Sequence, residues 1–160
     1  MSREARVRTN VTRLLDQKKV SYTAHGFPAG EAVSGAEAAR RLGMPPEKVF
    51  KTLVTVGKSG GHYVYLVPVE AELDLRKAAA CVGEKKVDML PQKELLPLTG
   101  YVHGGCSPIG MKKAFPTVVH ESAEGLDTMV FSAGKIGCHV EIAPSELKKV
   151  LEYGTADIVV

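Results

Sequence analysis

The chain has 160 residues, of which 44% are hydrophobic and 24% charged, and a formal net charge of +3. These values fit a folded, soluble globular chain and exclude a disordered or low-complexity one. No apolar run approaches the roughly 20 residues that span a bilayer, and MSREARVRTN lacks the apolar core of a secretion signal.

The mild positive charge permits an anionic partner without demanding one. Cys81, Cys106 and Cys138 are widely spaced and make neither a CxxC pair nor a zinc spacing. They point to a reducing, cytoplasmic setting, and no visible ligand set calls for a metal.

Val7, Val11, Leu14 and Leu15 share one helical face and predict a first helix over residues 3–19. Residues 21–25 read as a short strand and 26–33 as a loop broken by Pro28 and Gly30. Ser34-Gly35-Ala36-Glu37 reads as a capping box opening a second helix, which Gly43 stops. The run 49–56 (VFKTLVTV) reads as a strand, 57–61 as a hairpin loop and 63–69 as the returning strand. Asp74 caps an alanine-rich helix through Cys81, with Gly83 as its stop. Pro91 suits the first turn of a short helix ending before Pro97.

Residues 101–103 feed a loop, and the segment 100–113 reads GYVHGGCSPIGMKK. After it come strands over 117–121, 128–132 and 138–142, with a glycine-rich turn at 132–137. A helix over 144–153 and a closing strand over 156–160 complete the chain. The hairpins rule out a purely parallel sheet. The expected fold is therefore α+β, one domain over residues 1–160, with a mixed, mostly antiparallel sheet surrounded by helices.

Several residues carry possible chemistry. Lys51 lies mid-strand on an otherwise apolar face, as an edge lysine that snorkels or as a lysine that points into a pocket. Gly104, Gly105 and Gly110 lie within seven residues. They form either a tight turn or a loop whose N–H groups receive an oxygen. Cys106 is a buried packing thiol unless His103 or His139 stands beside it as a base. Neither GxGxxG, GxxxxGK[ST] nor GxSxG occurs. The pairs Lys85-Lys86, Lys112-Lys113 and Lys148-Lys149 suit RNA phosphates or plain solvation.

The chain resembles the YbaK/EbsC family of aminoacyl-tRNA deacylases, freestanding relatives of the editing domain inserted in bacterial prolyl-tRNA synthetases. The resemblance rests on TNVTRLL, GAEAARRLG, VFKTLV, the GYVHGGCSPIGMKK loop, SAGKIG and EIAPSELKKV. It implies removal of cysteine from mischarged Cys-tRNA(Pro), with the substrate thiol assisting and no protein nucleophile or cofactor. Lys51 is then the catalytic residue. Thr52, Phe27, Gly104, Gly105, Ser107, Pro108, Ser132 and Gly134 bind substrate, and Lys112 and Lys113 meet the tRNA backbone. The partners are mischarged tRNA and prolyl-tRNA synthetase, not DNA or membrane. Ser34, Cys106 and His139 depart from the family pattern near the expected pocket. Two other readings stay open: a water-dependent deacylase of another small aminoacyl-tRNA, and a non-catalytic tRNA- or nucleotide-binding module.

Overall fold

A long hairpin organises the chain. In the computed structural model, which describes residues 7–160, β2 (Phe50–Gly57) and β3 (His62–Pro68) pair antiparallel from Phe50↔Pro68 to Val56↔His62. Their β-branched and aromatic residues suit a sheet covered on both faces. β4 (Val87–Met89) joins the outer edge of β2 only from Thr55 to Gly57. On the other side, β5 (Thr117–His120) and then β8 (Gly154–Ala156) add in parallel. The order is β4-β2-β3-β5-β8.

A second, three-stranded sheet has the order β1-β7-β6 and is antiparallel throughout. Its strands are β1 (Thr23–Gly26), β6 (Met129–Lys135) and β7 (Cys138–Ile142). The sheet expected as one is thus two, tied by a parallel bridge between Val49 and Val130. Division into two sheets lets their apolar faces cover each other. Phe50, Val54, Val64 and Leu66 from the larger sheet share a core with Phe131, Val140 and Ile142 from the smaller. Burying each such side chain is worth about 2 kcal/mol. Val11 and Leu15 of α1 (Asn10–Gln17) seal this core.

Helix ends follow their caps. The part of the expected first helix over residues 3–6 lies outside the described residues. Thr9 and Thr12 form a reciprocal capping box that starts α1 at Asn10, so residues 7–9 are not helical. Ser34 caps α2 (Gly35–Leu42) by accepting the Glu37 N–H at 3.1 Å. The expected return contact from Glu37 is replaced by ion pairs to Arg40 and Arg41. Two guanidiniums one turn along outcompete a single backbone N–H for that carboxylate.

α3 (Leu75–Val82) starts at its Asp74 cap and lays Ala78 and Ala79 on Tyr65 and Val67 of the outer sheet face. α4 (Gln92–Thr99) runs through Pro97 instead of ending before it. Pro97 forfeits one helix bond, but Thr99 Oγ1 to Leu95 O and Gly100 N–H to Leu96 O, each 2.8 Å, hold the last turn. The expected helix over 144–153 shrinks to the single turn α5 (Pro144–Leu147). The closing strand falls at β8, leaving Val159 with only a bridge to Leu73. No helix among the described residues is long and apolar enough to cross a membrane.

Candidate active site

The register of the long hairpin leaves a gap in the edge of β2. Val49 O accepts from Val69 N–H and Gly57 N–H reaches Gly61 O, so odd-numbered residues of β2 exchange bonds with β3. Even-numbered residues point the other way. Val54 O is taken by Leu90 N–H at 3.0 Å, and β6 approaches at Val49. Between them the Thr52 N–H and C=O face a gap with no paired strand. A cavity of about 200 Å³ lies there, lined by Lys51, Thr52, Phe27, Gly104 and Ser132. Thr52 shares its strand face with Phe50 and Val54, while Lys51 shares the opposite one with Leu53. The cavity touches both because it sits at the strand's open edge. Gly35 lines it too. A Cβ on Gly35 would fall 2.5 Å from Val69 Cγ1, so glycine lets α2 close down on the end of β3.

Five of the eleven expected site residues thus meet in one place. The others do not reach the wall. The loop 100–113 leaves a helix end, α4, and not a strand, and it is packed by its own bonds. Gly105 N–H donates to Val102 O at 3.0 Å, so it is not free to receive a substrate oxygen. Gly105 is a glycine because a Cβ would lie 3.1 Å from Ile136 N. Ser107 is fully buried and accepts the Ile109 N–H at 3.3 Å, and Pro108 is buried beside it. These two shape the loop from behind. Lys112 and Lys113 are exposed outside the cavity, and Lys112 Nζ donates to Pro97 O at 3.4 Å.

Gly134 lies within β6, at the irregularity between Ser132 and Lys135, with φ +96°. A Cβ there would come within 2.9 Å of Tyr101 Cε1, and the Tyr101 hydroxyl donates to Ile109 O, pinning the loop. Gly134 is therefore a packing residue behind the pocket. Gly134→Ala is expected to cost about 2 kcal/mol, from strain at positive φ plus displacement of Tyr101. Urea unfolding of both proteins measures it, and an unchanged midpoint would refute this role.

Lys51 is half-buried, with no carboxylate within 4 Å of its ammonium among the described residues. Cys106 lines the cavity, and burial pushes its thiol up to about 12, so it carries no thiolate at pH 7. His139 is buried on the wall. Burial, then the nearby His25, push it down to about 4, so the ring is neutral at pH 7. His139 Nδ1 and Thr52 Oγ1 are both buried without hydrogen-bond partners. Phe27 stacks on His139, with ring centroids 5.8 Å apart. Leu95 and Gly35 also line the cavity and carried no signal in the sequence, where nothing separates them from core or cap positions.

The aminoacyl-tRNA editing domain family model matches residues 29–150. The chain is 44% identical over 152 residues to EbsC of Enterococcus faecalis, assigned as a Cys-tRNA(Pro)/Cys-tRNA(Cys) deacylase; the match covers 94% of this chain and 93% of EbsC. It is 27% identical over 104 residues to the proline–tRNA ligase of Pelobacter propionicus, covering 65% of this chain and 18% of the ligase. A solved structure described as a trans-editing enzyme for prolyl-tRNA synthetase superposes with a TM-score of 0.82 at 26% identity, covering 96% of this chain and 99% of that one.

Proposed function

Because the chain belongs to the aminoacyl-tRNA editing domain family, we propose that it is a single-domain trans-editing deacylase that removes cysteine from mischarged Cys-tRNA(Pro). The observation that carries this reading is the chemistry of the cavity. It combines one unpaired lysine, open main-chain donors and apolar walls, with no activated nucleophile among its described lining residues. Such a site suits a substrate that brings its own nucleophile.

The cysteine thiol attacks the carbonyl of its own ester. A C–S bond forms, the ester C–O bond breaks, and the thiol proton ends on the released ribose hydroxyl. The products are a cysteine thiolactone and deacylated tRNA. Holding thiol and carbonyl together supplies much of the rate. Lys51 favours the thiolate and the developing oxyanion, and the N–H groups of Gly104 and Thr52 receive the carbonyl oxygen. Of the Gly104–Gly105 pair first expected there, only Gly104 keeps that role, beside Thr52, because the Gly105 N–H is spent on Val102 O. Phe27 and Ser132 wall the aminoacyl group. Cysteine and proline are too alike in size for a synthetase pocket to separate by volume, and a thiol-dependent site reads chemistry instead. The modest net charge of +3 limits intrinsic tRNA affinity. Selection of the tRNA then falls partly to prolyl-tRNA synthetase as a partner, and both act in the cytoplasm.

The test compares release of cysteine and alanine from charged tRNA(Pro). Cysteine is expected to leave and alanine to stay. Release of both at similar rates would overturn the thiol-assisted step in favour of water. Release of neither, with prolyl-tRNA synthetase added, would overturn the deacylase reading and leave a binding module.

A further inference from the structure

Arg41 packs on a residue of the cavity wall and has no place in the chemistry above. Its guanidinium carbon lies 5.4 Å from the centroid of the Phe27 ring. Phe27 lines the cavity, whereas Arg41 lies just outside it. One edge of the guanidinium is held: Nε donates to Glu37 Oε2 at 2.8 Å. Arg40 also pairs with Glu37, so two arginines share one carboxylate and the cluster keeps a net positive charge. The terminal nitrogens of Arg41 have no acceptor among the described residues, and its side chain is 37% exposed. An arginine laid on an aromatic ring and fixed at Nε holds its remaining N–H groups in a set plane. That arrangement suits two-point binding of a phosphate. A surface arginine without these ties would sweep many rotamers and lose that entropy on binding.

We propose that Arg41 binds the phosphodiester on the 5′ side of the esterified terminal nucleoside, with Phe27 and Glu37 as its positioning residues. The inference rests on the deacylase reading and deepens it. An ester held in the cavity carries a ribose, and the nearest anion on the chain leading out is that 5′-phosphate. Arg41 sits on the Phe27 ring, which lines the cavity that would hold the ester.

The experiment uses two small substrates, cysteinyl-adenosine esterified on its ribose and the same compound bearing a 5′-monophosphate. The wild-type protein is expected to favour the phosphorylated ester about tenfold in kcat/KM, through KM, the size of one charge-assisted contact half open to solvent. Arg41→Gln is expected to bring that ratio near one, and Arg41→Lys to keep part of it. A wild-type ratio near one would overturn the proposal. So would an Arg41→Gln protein that loses activity on both esters alike, which would make Arg41 a support for Phe27 and nothing more. If the wild-type protein cleaves neither these esters nor Cys-tRNA(Pro), the deacylase reading itself has failed.

Discussion

Lys51→Ala and Lys51→Met are each expected to lower cysteine release from Cys-tRNA(Pro) by about a hundredfold or more, carried by kcat. The magnitude follows from removing one oriented charge at a developing oxyanion, worth about 3 kcal/mol. Two features make the expectation sharp. Lys51 has no carboxylate partner within 4 Å among the described residues, so its removal breaks no ion pair. It lies on a strand whose neighbours Phe50 and Val54 are fixed in the core, so the backbone at residue 51 stays put. The melting temperature is therefore expected to change by only a few degrees, and Lys51→Met, which keeps the apolar stem, less than Lys51→Ala. Single-turnover release measured beside thermal unfolding checks both halves. A Lys51→Met protein that releases cysteine at the wild-type rate would remove Lys51 from the mechanism.

The position of Lys51 was legible because a charged residue interrupts a β-branched run, and the register then places it at an open edge. The glycine loop was legible as unusual, but not for the right reason at each position. A sequence shows that a glycine is present without showing what occupies the space a Cβ would take. At Gly105 that space is filled by Ile136, and at Gly134 by Tyr101, both remote in sequence. The N–H of Gly105 is spent on Val102, three residues back, which composition does not reveal. Leu95 reaches the cavity from α4, more than forty residues along the chain from Lys51, a juxtaposition that no local pattern shows. β4, at three residues, is too short for any periodicity to mark. The Glu37 contact went the other way because two arginines follow it, and local cap rules give no weight to that competition. Helix starts and stops at Ser34, Gly43, Asp74 and Gly83 were read correctly, since a cap is a purely local device.

Glu141→Gln is expected to destabilise the fold by about 2–3 kcal/mol and to flatten its loss of stability in acid. Glu141 projects from β7 into a half-buried cluster. Its Oε2 takes Lys48 Nζ at 2.8 Å and the Thr128 hydroxyl at 2.5 Å, and its Oε1 takes His25 Nε2 at 2.9 Å. Burial by itself raises the carboxyl's pKa, but these three donors outweigh it and hold the group down at about 2. A pKa depressed on folding adds stability that is complete above the ordinary value near 4.5. It is lost as pH falls toward 2, when protonation deprives Lys48 of its partner. The amide of glutamine cannot accept from all three donors and presents N–H groups to one of them, leaving a buried donor unpaired. Urea unfolding from pH 7 to pH 2.5 is expected to show a wild-type curve that falls steeply below 4.5. The variant starts lower, and the gap narrows with acid. Parallel curves would mean that Glu141 is not charged in the cluster. The consequence for function is positional. Lys48 precedes β2 by two residues and Glu141 follows His139 by two, so this cluster fastens the Lys51 wall of the cavity to the His139 wall. A variant that loosens the clamp without touching the cavity is expected to lower kcat in proportion to the motion it allows between Lys51 and the bound ester.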